Sequence, residues 1–103
     1  MLLAIDIGNT NVTFGVFEGE KIKTTWRVST AIHRMPDEYA NMMLCLMERQ
    51  GVTAAQIKDV VICSVVPPLL IIFEEVCKRY LKKTPLIVEA GVKTGVRIDM
   101  DNP

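Results

Sequence analysis

A mixed α/β domain is predicted, with elements in the order β-β-β-α-β-α-β. Three patterns lead to this order. Short apolar or alternating runs near the N-terminus are separated by compact polar turns, as in an antiparallel meander. Two later stretches repeat apolar residues at three-to-four spacing, as helices packed on a sheet do. The second of these is preceded by the most apolar run of the chain, which reads as a buried central strand. A hairpin triplet followed by αβαβ implies a mixed sheet with helices covering it.

Each element follows from its residues. Leu2–Ile5 is wholly apolar and gives a central strand, ended by the polar turn Asp6-Ile7-Gly8-Asn9-Thr10-Asn11. From 12 to 17, Val12, Phe14 and Val16 face one way and Thr13, Gly15 and Phe17 the other. After Glu18-Gly19-Glu20, Lys21–Val28 alternates again, with Ile22, Thr24, Trp26 and Val28 on the packed side and Arg27 on the solvated side. Pro36 opens a helix in its favoured first turn, Asp37 and Glu38 complement the helix dipole, and Gly51 ends it. Its stripe is Tyr39, Met42, Met43, Leu46 and Met47. Thr53-Ala54-Ala55-Gln56 fits a capping box over one helical turn. Asp59–Val66 is the buried strand, and Pro67-Pro68 stops it and starts the second helix. That helix turns Leu69, Phe73, Val76, Cys77 and Tyr80 inward, with Glu74–Lys78 and Glu75–Arg79 as i,i+4 ion pairs outside. Leu86–Val88 is a last short strand, and residues 89–103 show no period.

Composition narrows the function classes. Hydrophobic residues make up 50% of the 103 positions and charged ones 23%, which excludes a disordered or collagen-like chain. Twelve basic residues balance twelve acidic ones, so no global attraction to nucleic acid or anionic lipid exists. No signal-peptide pattern precedes Asp6, and no apolar run reaches membrane-spanning length. Cys45, Cys63 and Cys77 lie in apolar runs without a C-x-x-C pair, and read as buried reduced thiols of a cytoplasmic protein.

The turn after the first strand is the one sharp chemical signal. A carboxylate at the end of a buried strand, here Asp6, is held rigidly enough to bind hydrated Mg²⁺. Gly8 removes a Cβ from the path of a phosphate, and Asn9, Thr10 and Asn11 bring side-chain and backbone donors. The same residue types also favour plain hairpin turns, so the hexapeptide alone leaves both readings open. It is not a Walker loop, because no G-x-x-x-x-G-K-[ST] is present.

Context selects between the two. Leu3–Asn11, Trp26–Thr30, Asp37–Tyr39, Ser64–Pro68, Val92–Gly95 and Asp101–Pro103 occur in the order and at the spacing of bacterial type III pantothenate kinases, which the chain resembles along its whole length. The resemblance implies a ribonuclease-H-like half-domain of the actin, Hsp70 and sugar-kinase superfamily, and an ATP-dependent phosphorylation of pantothenate, the first step of coenzyme A synthesis. Asp6, Ile7, Gly8, Asn9, Thr10, Asn11, Val12 and Thr13 map onto the family's ATP-phosphate site, with Asp6 near Mg²⁺ through water. Met100 takes the place of an aromatic residue that many relatives carry near the substrate. The family further implies a monovalent cation (potassium or ammonium), a homodimer, and no nucleic-acid or membrane partner.

In the family, D-N-P is followed by G-A-D-R, whose Asp is the proton acceptor. Residues 1–103 are therefore expected to form the N-terminal half of a two-domain kinase, with the acceptor Asp and the cation ligand beyond Pro103 and no turnover by this half alone. Another small-molecule kinase or phosphatase on the same fold, and a non-enzymatic accessory protein, are the competing readings. Ser64 either faces the cleft or bonds within its own turn, and Lys93 and Thr94 either line the acceptor pocket or shape a loop. His33 has no partner at ligand spacing, and Asp99 and Asp101 are not an acid/base pair on spacing alone.

Overall fold

In the computed structural model, which describes residues 1–89, the predicted order is realised. The strands are β1 (Leu2–Ile7), β2 (Asn11–Glu18), β3 (Lys21–Ser29), β4 (Asp59–Ser64) and β5 (Leu86–Glu89). Helix α1 (Pro36–Arg49) lies between β3 and β4, and α2 (Pro67–Val76) between β4 and β5. They form one sheet in the order β3-β2-β1-β4-β5. β1 is antiparallel to β2 and β2 to β3, while β1–β4 and β4–β5 are parallel. Each parallel pair is bridged by a helical crossover, which is how parallel neighbours are joined.

The two sheet faces differ sharply. Leu3, Ile5 and Ile7 of β1 share one core with Val12, Phe14 and Val16 of β2, Tyr39 and Met43 of α1, and Leu69 and Phe73 of α2. Both helices thus cover the same face. Phe14 stacks on Trp26 at 5.3 Å and leans on Phe73 at 5.9 Å, and Tyr39 meets Phe73 at 4.8 Å. The opposite face carries a smaller cluster of Ala4 and Val61, with Leu2, Phe17 and Val88 against it. Asp6, two residues beyond Ala4, belongs to this second face by strand alternation.

Helix α1 is bounded by local chemistry. Pro36 occupies its first turn, and the Met35 N–H donates to Glu38 Oε1 at 2.8 Å. At its end Gly51, with φ +82°, donates to the Glu48 carbonyl at 2.9 Å, and Val52 donates to the Met47 carbonyl at 3.2 Å. This is a Schellman motif, and its left-handed position is why glycine stands there. The turn at Ala54–Gln56 is a single 3-10 turn in which Gln56 Oε1 accepts the Thr53 N–H at 2.9 Å.

Several expectations are corrected. β1 continues through Asp6 and Ile7, which pair with Thr13 and Val12, so Asp6 is a strand residue rather than a turn residue. β4 stops at Ser64, two residues early, because the Ser64 hydroxyl folds back onto its own chain. A register jump from Val16–Thr24 to Phe17–Ile22 leaves Ile22 48% exposed instead of packed. Past Val76 the helix widens into a π-helical turn, Cys77–Leu81, which ends at Lys82 in the left-handed region. The wider turn breaks the i,i+4 spacing. Among the described residues neither Glu74–Lys78 nor Glu75–Arg79 forms; Arg79 instead pairs with Asp37 of α1 at 3.5 Å. Tyr80 is only half-buried and its hydroxyl donates to the same Asp37 carboxylate. Cys77 is buried, Cys63 is intermediate and Cys45 is exposed, so Cys45 is not the buried thiol its surroundings suggested.

Candidate functional site

The predicted phosphate residues lie where β1 and β4 end and β2 begins. Across the antiparallel ladder Asp6 sits opposite Thr13, and across the parallel ladder opposite Cys63. Side chains opposite one another share a face, so Asp6, Thr13 and Cys63 form one patch on the face away from the helices. Ile7 and Val12 are fully buried on the helix-covered face, so any part they play in ligand binding falls to their backbone. Thr13 is 3% exposed, while Asn9 and Thr10 project into solvent.

Asp6 is an electrostatically unsettled group. Its carboxylate has no hydrogen-bond or ion-pair partner among the described residues. Burial pushes its pKa above the ordinary 3.8. The Cys63 thiol is also pushed up, first by burial and then by the Asp6 charge beside it. A half-buried carboxylate with no cation partner is costly, and a hydrated divalent ion is one way to relieve it. Among the described residues no group of three or more His, Cys, Asp or Glu side chains forms a metal cage. One carboxylate does suit Mg²⁺, which keeps most of its waters and binds through a carboxylate plus substrate phosphates.

The turn between β1 and β2 is held from β3. The Gly8 N–H donates to the Asn11 carbonyl at 2.9 Å and closes the turn. Gly8 is not in the left-handed region, which only Gly19 and Gly51 occupy among the described glycines. Glycine at position 8 is thus not demanded by φ. The Thr30 hydroxyl donates to the Gly8 carbonyl at 2.8 Å, and the Thr30 N–H donates to the Thr10 carbonyl at 2.9 Å. Among the described residues the N–H groups of Asn9 and Thr10 have no acceptor.

Neighbouring elements frame this edge without competing for an anion. The Val65 N–H donates to the Ile7 carbonyl at 3.1 Å, which brings the start of α2 beside the turn. Pro67 and Pro68 carry no N–H, and the Leu69 and Leu70 N–H groups both reach the Val66 carbonyl. The first turn of α2 therefore offers no free donor. Ser64 Oγ donates to the Val66 carbonyl and accepts the Val66 N–H, both at 3.0 Å, so its hydroxyl serves its own turn rather than the cleft. A cavity of about 460 Å³ is lined by Leu2, Lys58, Asp59, Lys83 and Leu86 at the N-terminal ends of the strands. At about 3.3 Å per residue it begins roughly 13 Å from Asp6 along β1.

Thr30 had appeared only within a matching segment; its role emerges because the Asn11–Ser29 pairing places the next residue of β3's exit over the turn. Trp26 is packed and Arg27 exposed, as expected. His33 is exposed in a loop. Lys93, Thr94, Met100, Asp99 and Asp101 lie outside the described residues.

Two solved chains share this architecture. A putative N-acetylglucosamine kinase from Porphyromonas gingivalis superposes with TM-score 0.62 at 17% identity, over 86% of this chain and 34% of that one. The ROK hexokinase from Thermus thermophilus does so with TM-score 0.62 at 15% identity, over 85% and 33%. At such identities the likeness establishes the fold alone. Sequence comparison goes further: the family model described as type III pantothenate kinase matches residues 2–103. Type III pantothenate kinases from Dehalococcoides mccartyi, Agathobacter rectalis and Bacillus cytotoxicus are 52%, 46% and 41% identical over 102, 103 and 103 residues. This chain belongs to the type III pantothenate kinase family. The matches cover 99–100% of the chain but only 39–40% of these relatives' length.

Proposed function

We propose that this chain supplies the nucleotide-phosphate wall of an ATP-dependent kinase that converts pantothenate to 4'-phosphopantothenate. The single observation that carries the reading is the unpaired, half-buried Asp6 carboxylate beside a turn with free N–H donors at Asn9 and Thr10. In phosphoryl transfer, catalysis is mainly positioning and charge neutralisation. The turn supplies N–H dipoles for terminal phosphate oxygens, and Asp6 supplies a fixed negative charge for the water shell of the metal that accompanies ATP. Magnesium, when bound, neutralises phosphate charge that the backbone donors alone would leave uncompensated. The proton acceptor for the pantothenate hydroxyl, the monovalent-cation site (potassium or ammonium) and the opposing wall belong to sequence C-terminal to these residues, in a homodimeric cytoplasmic enzyme. Among the described residues no helix is long and apolar enough to cross a membrane.

The test is ADP release by the full-length protein that carries this segment, with Mg·ATP and potassium, offered pantothenate or N-acetylglucosamine. Pantothenate-dependent ADP release that falls when sodium replaces potassium supports the reading. Turnover of the hexosamine instead, or of neither acceptor, contradicts it.

A further inference from the structure

We propose that Thr30 is a positioning residue for the nucleotide: it holds the Gly8 and Thr10 carbonyls of the β1–β2 turn away from the phosphates and so keeps the Asn9 N–H aimed at them. The proposal rests on the phosphate-site reading above and adds to it a residue outside the 6–13 stretch.

A peptide unit is planar and trans, so its C=O and its N–H point in opposite directions. The Gly8 carbonyl and the Asn9 N–H belong to one such plane, and the Thr10 carbonyl and the Asn11 N–H to another. Thr30 holds both carbonyls, the first through its hydroxyl at 2.8 Å and the second through its own N–H at 2.9 Å. Of the two free donors, only the Asn9 N–H belongs to a plane that Thr30 holds, and it must then face away from Thr30; the Thr10 N–H shares its plane with the Asn9 carbonyl, which Thr30 does not touch. A carbonyl left free to rotate would present its negative end to a phosphate, which costs affinity twice, by losing a donor and by adding repulsion.

Thr30 is itself fixed from the core. The fully buried Tyr39 of α1 grips the adjacent residue at both backbone groups: its hydroxyl donates to the Ala31 carbonyl and accepts the Ala31 N–H, each at 2.8 Å. On the other side Arg34 donates to the Ser29 carbonyl at 2.6 Å. The turn is therefore braced by a chain of bonds running from α1 through residue 31 to Thr30, and only one side chain in that chain touches the turn.

The full-length protein and its Thr30→Val, Thr30→Ser and Asp6→Asn variants test this by calorimetric Mg·ATP affinity, melting temperature and KM for the acceptor alcohol. Thr24→Val serves as control, because the Thr24 hydroxyl also bonds across elements, to Gln50 Oε1 at 2.8 Å, but remote from the turn. Loss of one hydroxyl–carbonyl bond should weaken Mg·ATP binding about fivefold in Thr30→Val. Acceptor KM should stay unchanged, melting should shift no more than in Thr24→Val, and Thr30→Ser should restore affinity. Equal Mg·ATP affinity in wild type and Thr30→Val, or an affinity loss that Thr30→Ser does not rescue, overturns the proposal. If Asp6→Asn leaves nucleotide affinity intact, the phosphate-site reading itself falls; if Asp6→Asn acts and Thr30→Val does not, only the role of Thr30 falls. Should Thr30→Val not fold, Thr30→Ala is judged by the same outcomes.

Discussion

Asp6 shows how a single residue is held in a state that folding alone would not choose. Its carboxyl titrates above 3.8 in the folded chain because burial disfavours the charge. The folded state therefore holds that proton more tightly than the unfolded state does. The resulting stability is fully present below 3.8, and it is lost as pH rises through the raised folded value. At pH 7 the ionised group is a net cost. Asp6→Asn should raise the melting temperature at pH 7, by a few degrees at most because the carboxyl is only half-buried. That advantage should shrink as pH falls toward 4, while pantothenate-dependent turnover of the full-length protein drops about 10²-fold. Higher stability with lower activity is the signature of a residue kept for function. If Asp6→Asn instead melts earlier at pH 7, the carboxylate has a stabilising partner and the reading of an unpaired charge fails. Asp6 stood out in the sequence only with the other matching segments beside it, since Asp, Gly and Asn also make plain turns. Thr30 did not, because its contact with Gly8 depends on the β2–β3 register.

At the scale of elements, strong local punctuation made most boundaries readable. Pro36, Gly51 and Pro67-Pro68 act through φ restriction and missing donors, and these effects do not depend on tertiary context. The exit of α2 escaped because nothing in Cys77–Leu81 marks a π-helical turn; it is imposed by burial of both Cys77 and Leu81 while Arg79 and Tyr80 reach Asp37. That exit stores strain at Lys82, a side-chain-bearing residue at φ 58°. Lys82→Gly should stabilise the protein by about 0.5–1 kcal/mol, since the relief of a left-handed conformation that costs an L-residue about 1–2 kcal/mol outweighs the extra unfolded-state entropy that glycine brings. Gly51→Ala should do the reverse by about 1 kcal/mol at φ +82°, with open space around the new methyl, so the cost is backbone strain alone. Urea denaturation midpoints of the two variants should move in opposite directions, and a shift of the same sign would contradict the cap assignments.

For the whole molecule, one sheet separates two duties. The helix-covered face holds the large aromatic and aliphatic core, and the other face carries small residues, Ala4 and Val61, leading to Asp6. The alternation of β1, with Leu3, Ile5 and Ile7 on one side and Ala4 and Asp6 on the other, places the carboxylate on the unhelical face without any special device. Fold class and family were both readable from strand alternation and from the six matching segments. The inward direction of Val12 was readable from the alternation of β2, whereas that of Ile7 was not, because the first strand was expected to end at Ile5 and it runs on to Ile7. The central claim is that nucleotide phosphate binds at the β1–β2 turn. Backbone amide shifts of the isotope-labelled full-length protein, recorded as Mg·ATP is added, test it most directly. The largest shifts are predicted at Gly8, Asn9, Thr10 and Asn11. Shifts concentrated instead around Leu2, Lys58 and Lys83, which line the cavity at the far end of the strands, or no shift at the turn at saturating nucleotide, would contradict it.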